Sequence, residues 1–147
     1  MKKVIFSVII LTSIFVACKK DDPAAPVCNK TMAQVAANYK ISKVQLSLTG
    51  SGTNDITSTY LSDDCLKNGV FQLKATDSTL LYIQTPTATC TGSGSGYWLI
   101  RNDSLYITHS GSSTTEIEGK ITSWDCTNLV IDENFGAGSY IFTLTKQ

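Results

Sequence analysis

The sequence predicts an all-β domain, an antiparallel barrel or sandwich of about eight short strands preceded by one short helix. Three observations carry that expectation. Short runs rich in Val, Ile, Leu, Tyr and Thr recur at regular spacing, each bounded by Gly, Asn, Asp or Ser. Only one stretch carries the apolar spacing of a helix. Charged residues make up only 16% of the chain while Ser, Thr and Gly abound, which suits an extracellular β-rich protein better than a cytosolic helical one.

The chain opens on a leader. Lys2 and Lys3 give a basic start, and Val4–Ala17 is an apolar run interrupted only by Ser7, Thr12 and Ser13. That run is shorter than the ~20 residues of a spanning helix, and its three-part layout is that of a secretory signal. It closes on Val16-Ala17-Cys18, after which the chain turns polar. A cysteine directly after a small residue resembles the lipobox of bacterial lipoproteins, which implies that the Cys18 thiol is diacylated and becomes the mature N-terminus. One acyl chain holds a protein only marginally, whereas the two or three chains of a lipobox protein keep it on the membrane. Lys19-Lys20-Asp21-Asp22 resembles the charged export signal of Bacteroidetes-type lipoproteins, which implies the cell surface of the outer membrane; a tether on the periplasmic face is the alternative. Pro23-Ala24-Ala25-Pro26 reads as an extended spacer. Residues 1–17 are thus expected to be a lipoprotein signal peptide, 18–30 a lipidated tether and 31–147 the folded domain.

Within that domain the elements follow in order. Cys28–Asn38 is the one helical stretch, about two turns, with Asn29 or Thr31 to cap it and Met32, Val35 and Ala36 on one face; it reads as a lid or plug. Tyr39–Leu48 alternates, but the apolar phase slips between Ile41 and Val44, so a bulge is expected near Ser42-Lys43. Gly50-Ser51-Gly52 turns the chain, and Asp55–Leu61 reads as a weaker, polar strand. Val70–Ala75 and Thr79–Thr85 flank a turn at Thr76-Asp77-Ser78, and Pro86–Ser95 is a loop of small residues holding Cys90. Tyr97–Arg101 and Ser104–His109 flank Asn102-Asp103 as a hairpin does. Thr114–Trp124, Asn128–Asp132 and Ser139–Thr145 complete the series, the last pair joined through Gly136-Ala137-Gly138.

Twelve Lys and Arg face twelve Asp and Glu, and no basic stripe appears, so nucleic acid is not an expected partner. With Cys18 assigned to lipid, Cys28, Cys65, Cys90 and Cys126 remain. An even number in an exported chain implies disulfides and leaves three connectivities open. None of the four has the C-x-x-C spacing of a zinc or redox site, so neither a metal nor a cofactor is expected.

Several stretches then fall in a familiar order: Asp63-Asp64-Cys65, the strand Val70-Phe71-Gln72-Leu73, Cys90, Gly96-Tyr97-Trp98, and Leu99-Ile100-Arg101-Asn102-Asp103-Ser104-Leu105-Tyr106-Ile107. Ile121, Asn128-Leu129-Val130-Ile131 and the closing Tyr140-Ile141-Phe142-Thr143-Leu144-Thr145-Lys146 follow. Together they resemble the lipocalin-like domain of Bacteroidetes lipoproteins over about residues 31–147. The resemblance implies an up-and-down antiparallel barrel, with the β-sandwich as the alternative. The family opens its first strand with a small residue and a tryptophan; Asn38-Tyr39 stands there in this chain, and the resemblance implies that Tyr39 covers the barrel base. It also implies that Cys65 pairs with Cys90, which leaves Cys28 for Cys126.

Catalysis is not expected. Thr91-Gly92-Ser93-Gly94-Ser95-Gly96 has a glycine where a nucleophile elbow needs its serine. His109 reads as a turn histidine, and Asp63-Asp64 and Asp132-Glu133 read as solvated turn acids rather than paired catalytic carboxylates. The rings of Tyr39, Phe71, Trp98, Tyr140 and Phe142 are expected to face inward. A barrel of this size is just wide enough to be filled by side chains or to hold one small ligand. Those five residues are therefore the candidate lining of a pocket for a small apolar ligand, with Trp98 central, and the alternative is a solid barrel that serves as a structural or protein- or glycan-binding component of the envelope, its protein partner unknown. An exposed aromatic patch involving Trp124 is expected in that second case. Asp77-Ser78-Thr79 and Asp103-Ser104-Leu105 resemble the acceptor used for O-glycosylation in Bacteroidetes, which makes Ser78 and Ser104 candidate sites.

Overall fold

The computed structural model describes residues 27–83, 93–109 and 115–147, the side chains of residues 109 and 115–117 excepted. The chain forms a closed, eight-stranded antiparallel β-barrel of the lipocalin-like kind, with a few short helices. Helix α1 (Met32–Val35) precedes strand β1 (Asn38–Leu48) and the short β2 (Gly52–Asp55). Helices α2 (Thr57–Tyr60) and α3 (Asp64–Asn68) lead into β3 (Val70–Leu73), β4 (Thr79–Ile83) and β5 (Gly94–Arg101). Strands β6 (Ser104–His109), β7 (Thr115–Trp124), β8 (Asn128–Asn134) and β9 (Gly138–Lys146) complete the sheet. Each strand from β3 to β9 pairs with the next, and β9 returns to β1. Closure removes the exposed edges that threaded Thr-rich strands would otherwise present for aggregation.

Turn chemistry fixes the hairpins. Asn102 and Asp103 both take positive φ (51° and 59°), as a two-residue connection requires, and Arg101 faces Ser104 across it. Gly136, at φ 89°, turns β8 into β9. The register shifts in β1 between Ile41 and Lys43. This is the bulge read from the apolar phase, and it keeps Tyr39 and Ile41 on the same face as Val44.

The ring is drawn tight at one end. β1 runs against β9 from Tyr39–Lys146 to Leu48–Gly138, but it meets β3 only at Asn38–Gln72 and Tyr39–Phe71. Beyond those pairs β1 turns to β2 instead, through Gln45–Asp55 to Leu48–Gly52. α2 and α3 occupy this diverging side: Tyr60 of α2 packs its ring on Phe142 of β9, and the Tyr82 hydroxyl of β4 donates to the Cys65 carbonyl in α3 (3.1 Å).

The tight end is packed solid. Val35, Tyr39, Leu105, Ile121 and Leu129 are fully buried and Trp98 almost so. The Tyr39 hydroxyl donates to the Val35 carbonyl (2.6 Å), and burial pushes that phenol well above its ordinary pKa. Trp98 Nε1 donates to the Lys74 carbonyl (2.9 Å), which ties β5 to the β3–β4 turn. Trp124 stands edge-on to Tyr39 with ring centres 6.3 Å apart. α1 plugs this end and is held from two sides. Cys28 and Cys126 form a disulfide with Cα atoms 5.4 Å apart, and Lys30 Nζ donates to the Ile121 carbonyl (2.8 Å) and faces the Asp103 carboxylate (3.8 Å). The barrel thus takes hold of the chain from Cys28, inside the segment expected to be a tether. The described residues from Val27 to Gln147 carry the closed sheet and a core of their own.

Two expectations for local structure give way. The helix read over Cys28–Asn38 is the single turn of α1, because the disulfide and the Lys30 bond keep the residues before it stretched across the barrel end. The strand read over Asp55–Leu61 stops at Asp55. There the carboxylate accepts from the Thr57 N–H (2.9 Å) and hydroxyl (2.6 Å), a local turn that outcompetes sheet pairing and starts α2. Asp63 acts in the same way on the Cys65 N–H (2.7 Å) and caps α3.

Candidate ligand cavity

Above the packed base the interior is hollow. A cavity of about 410 Å³ is walled by Ile41 of β1, Phe71 and Leu73 of β3, Leu80 and Tyr82 of β4, and Leu105 and Ile107 of β6. Ile131 and Glu133 of β8, Phe142 and Leu144 of β9, Tyr60 of α2 and Leu66 of α3 complete the wall.

The hollow follows from the strand period of two. On β5 the inward phase runs Ile100, Trp98, Gly96, Gly94, so above Trp98 the strand puts no side chain into the interior. On β7 the inward position opposite Leu105 is Gly119, where an added Cβ would overlap the Ile131 side chain. Among the described residues neither strand contributes a side chain to the lining. A large aromatic at the base followed by glycines toward the mouth makes a tapered space, closed at one end.

The mouth is aromatic. Tyr60 stands edge-on to Phe142 (5.5 Å) and tilted to Tyr140 (6.3 Å), and Tyr140 in turn stacks against Phe135 (5.1 Å). Across the cavity Phe71 stacks on Tyr82 (4.8 Å). Gly69 lets the Tyr82 ring lie directly against the backbone; an added Cβ would overlap that ring.

Among the described residues one charged group belongs to this wall. Leu129, Ile131 and Glu133 alternate onto the inner face of β8, so Glu133 faces in while its neighbour Asp132 does not line the cavity. Burial pushes the Glu133 carboxyl above the ordinary carboxylate range. The Tyr60 hydroxyl is raised as well, first by burial and then by the Glu133 charge and the phenols of Tyr140 and Tyr82. Among the described residues no lysine, arginine or hydrogen-bond donor is paired with the Glu133 carboxylate.

Of the five aromatic positions proposed from the sequence, Phe71 and Phe142 line the cavity. Trp98 and Tyr39 instead fill the base, where the indole N–H and the phenol each find a backbone carbonyl that the apolar mouth does not offer. Tyr140 stands behind the lining, between Phe135 and Phe142. Trp124, expected at an exposed patch, is buried at the base. Cys65 is disulfide-bonded, while Cys90, its expected partner, and Cys18 lie outside the described residues. Ser78 sits half-buried at φ 56° in the β3–β4 turn, where Thr79 donates to the Asp77 carboxylate; Ser104 is half-buried at the start of β6. Asp63 and Asp64 belong to the α3 cap and not to the cavity.

Glu133, Tyr60 and Leu66 escaped the sequence reading. Extending the alternation of Leu129 and Ile131 by two residues would have turned Glu133 inward. Reading Asp55-x-Thr57 and Asp63-x-Cys65 as side-chain-capped turns would have replaced a polar strand by the two helices that roof the cavity.

No protein-family profile matches the chain, and no curated protein matches it. A crystal structure at 2.60 Å of an uncharacterized protein from Bacteroides eggerthii DSM 20697 is similar to it, with a TM-score of 0.51 and 8% identity. The match covers 76% of this chain and 98% of that one. At that identity the likeness carries the fold alone.

Proposed function

We propose that this protein is a lipid-anchored lipoprotein of the cell envelope whose barrel binds a small apolar molecule in its hollow half. The cavity carries this reading. Its volume of about 410 Å³ falls within the ~300–1,000 Å³ of small-molecule sites, and its wall has the same character, mostly apolar and aromatic with few polar groups. The anchor rests on the Ala17-Cys18 junction and places the protein on the outer membrane, at the cell surface if Lys19–Asp22 directs export and on the periplasmic face if it does not. The membrane is then a partner through the N-terminal acyl chains. Among the described residues the wall brings a single carboxylate, Glu133, with Asp63, Asp64 and Asp132 elsewhere, and we read the barrel as a binding module.

Titration of residues 27–147 with the neutral fluorescent probe 1-aminoanthracene tests the binding. Saturable emission enhancement is expected, and a linear response up to the probe's solubility limit would contradict the reading. For the anchor, Cys18→Ser is expected to leave the membrane fraction; unchanged detergent partitioning would refute lipidation. O-glycosylation at Ser78 or Ser104 predicts an intact mass above that of the acylated polypeptide.

A second reading has its own observation. Tyr97 and Leu99 on the outer face of β5 are 57% and 44% exposed, a surface on which an envelope component could meet protein or glycan.

A further inference from the structure

Among the described residues Glu133 is the one carboxylate in a mostly apolar and aromatic wall, and its place there is built in. The inner face of β8 reads Leu129, Ile131, Glu133, so the carboxylate stands at the mouth on the strand whose deeper residues are part of the core. Its cross-strand partner is Tyr140, and α2 sets Tyr60 over the same corner, where its ring meets both Tyr140 and Phe142. A carboxylate facing into an apolar space without a cation costs stability, and a protein retains such a group at a position where something else repays the cost. Aromatic rings and a carboxylate at the rim of one apolar space together attract cations, above all weakly hydrated alkylammonium groups. They repel an anion of the same shape.

We propose that the mouth of the cavity is a cation subsite, in which Glu133 and the rings of Tyr60 and Phe142, backed by Tyr140, receive the ammonium-type head group of an otherwise apolar ligand. The inference rests on the cavity being a ligand site and names the class of ligand that it takes. The apolar body lies toward Leu80, Leu105 and Leu144, and the head group stays at the mouth, partly solvated. Fatty acids, which have the same body and an anionic head, are disfavoured. Tyr82 lies across the cavity and is engaged with the α3 backbone, so Glu133 and the aromatic corner on the β8–β9 side are the groups that select the head.

Three competitors with one chain length separate the two claims: decyltrimethylammonium, decanol and decanoate, each displacing 1-aminoanthracene from residues 27–147 at pH 7, below their micellar concentrations. The expected order is decyltrimethylammonium first, about tenfold ahead of decanol, with decanoate weakest. Glu133→Gln is expected to cancel most of the lead of the cation over decanol, and Tyr60→Leu to reduce that lead in part. Circular dichroism of each variant confirms that it folds. If the cation is no better than decanol, or keeps its lead in Glu133→Gln, the subsite is refuted although the cavity still binds. If none of the three competes and the probe itself does not saturate, the ligand-binding reading is the one that fails.

Discussion

The two ends of this barrel use similar residues to opposite effect. At the base, Tyr39, Trp98 and Trp124 are packed against Val35, Leu105, Ile121 and Leu129, and two of the three place a polar atom on a backbone carbonyl. At the mouth, Tyr60, Phe71, Tyr82 and Phe142 ring an open space and meet one another at its edges. The difference lies in what stands opposite each ring. The base has α1 and its disulfide to close it, whereas the mouth faces Gly94 and Gly96, positions without a side chain. A barrel of eight strands therefore need not be either filled or hollow; two inward glycines above Trp98 on β5 help to make it both. The base supplies the stability, and the mouth is free to spend part of it.

Breaking the base should produce the largest losses. Replacing both Cys28 and Cys126 by Ser frees a closure spanning 98 positions and is expected to cost about 4.7 kcal/mol by loop entropy, read as a lower urea midpoint. If the midpoint stays put, α1 does not depend on its clamp. Trp98→Ala leaves a void at the base and the Lys74 carbonyl without its donor, for about 3–5 kcal/mol, with probe binding retained once the variant is folded. Loss of binding with little loss of stability would place Trp98 functionally in the mouth instead.

The base was the more legible end. The phase of Tyr39–Leu48 gave the bulge, Asn102-Asp103 gave the hairpin, and the regular strand spacing gave an antiparallel barrel or sandwich. Which aromatics faced the space was not legible, because inward phase tells which side of the sheet a ring occupies and not how deep it lies. Trp98 shares its phase with Gly96, yet one fills and the other empties the interior. The roof was lost for another reason: residues 55–68 are held by local Asp side-chain bonds, and a segment without apolar periodicity reads as a poor strand. Glu133 was lost because charge at a strand end is ordinarily solvent-facing.

A smaller effect of opposite sign is expected at the mouth. Burial raises the Glu133 pKa in the folded state above its unfolded value of about 4.3. The stability linked to this group is therefore fully present below the unfolded value and is lost as pH rises through the folded pKa. Glu133→Gln should raise the Tm of the ligand-free protein at pH 7, and the gain should fade on acidification to pH ~3, where both states are protonated. A gain of the same size at both pH values would show that the carboxylate bears no burial cost.

The most direct test of the division into a packed base and a binding mouth is to fill the mouth alone. Ile107 lines the cavity as the cross-strand partner of Trp98, and Ile107→Trp puts an indole into the space that Gly96 and Gly94 leave above Trp98. Measured by 1-aminoanthracene titration alongside urea unfolding, this variant should lose saturable binding while its unfolding midpoint stays at or above that of the parent protein. Undiminished binding with the cavity filled, or the absence of saturable binding in the parent protein, would contradict the account.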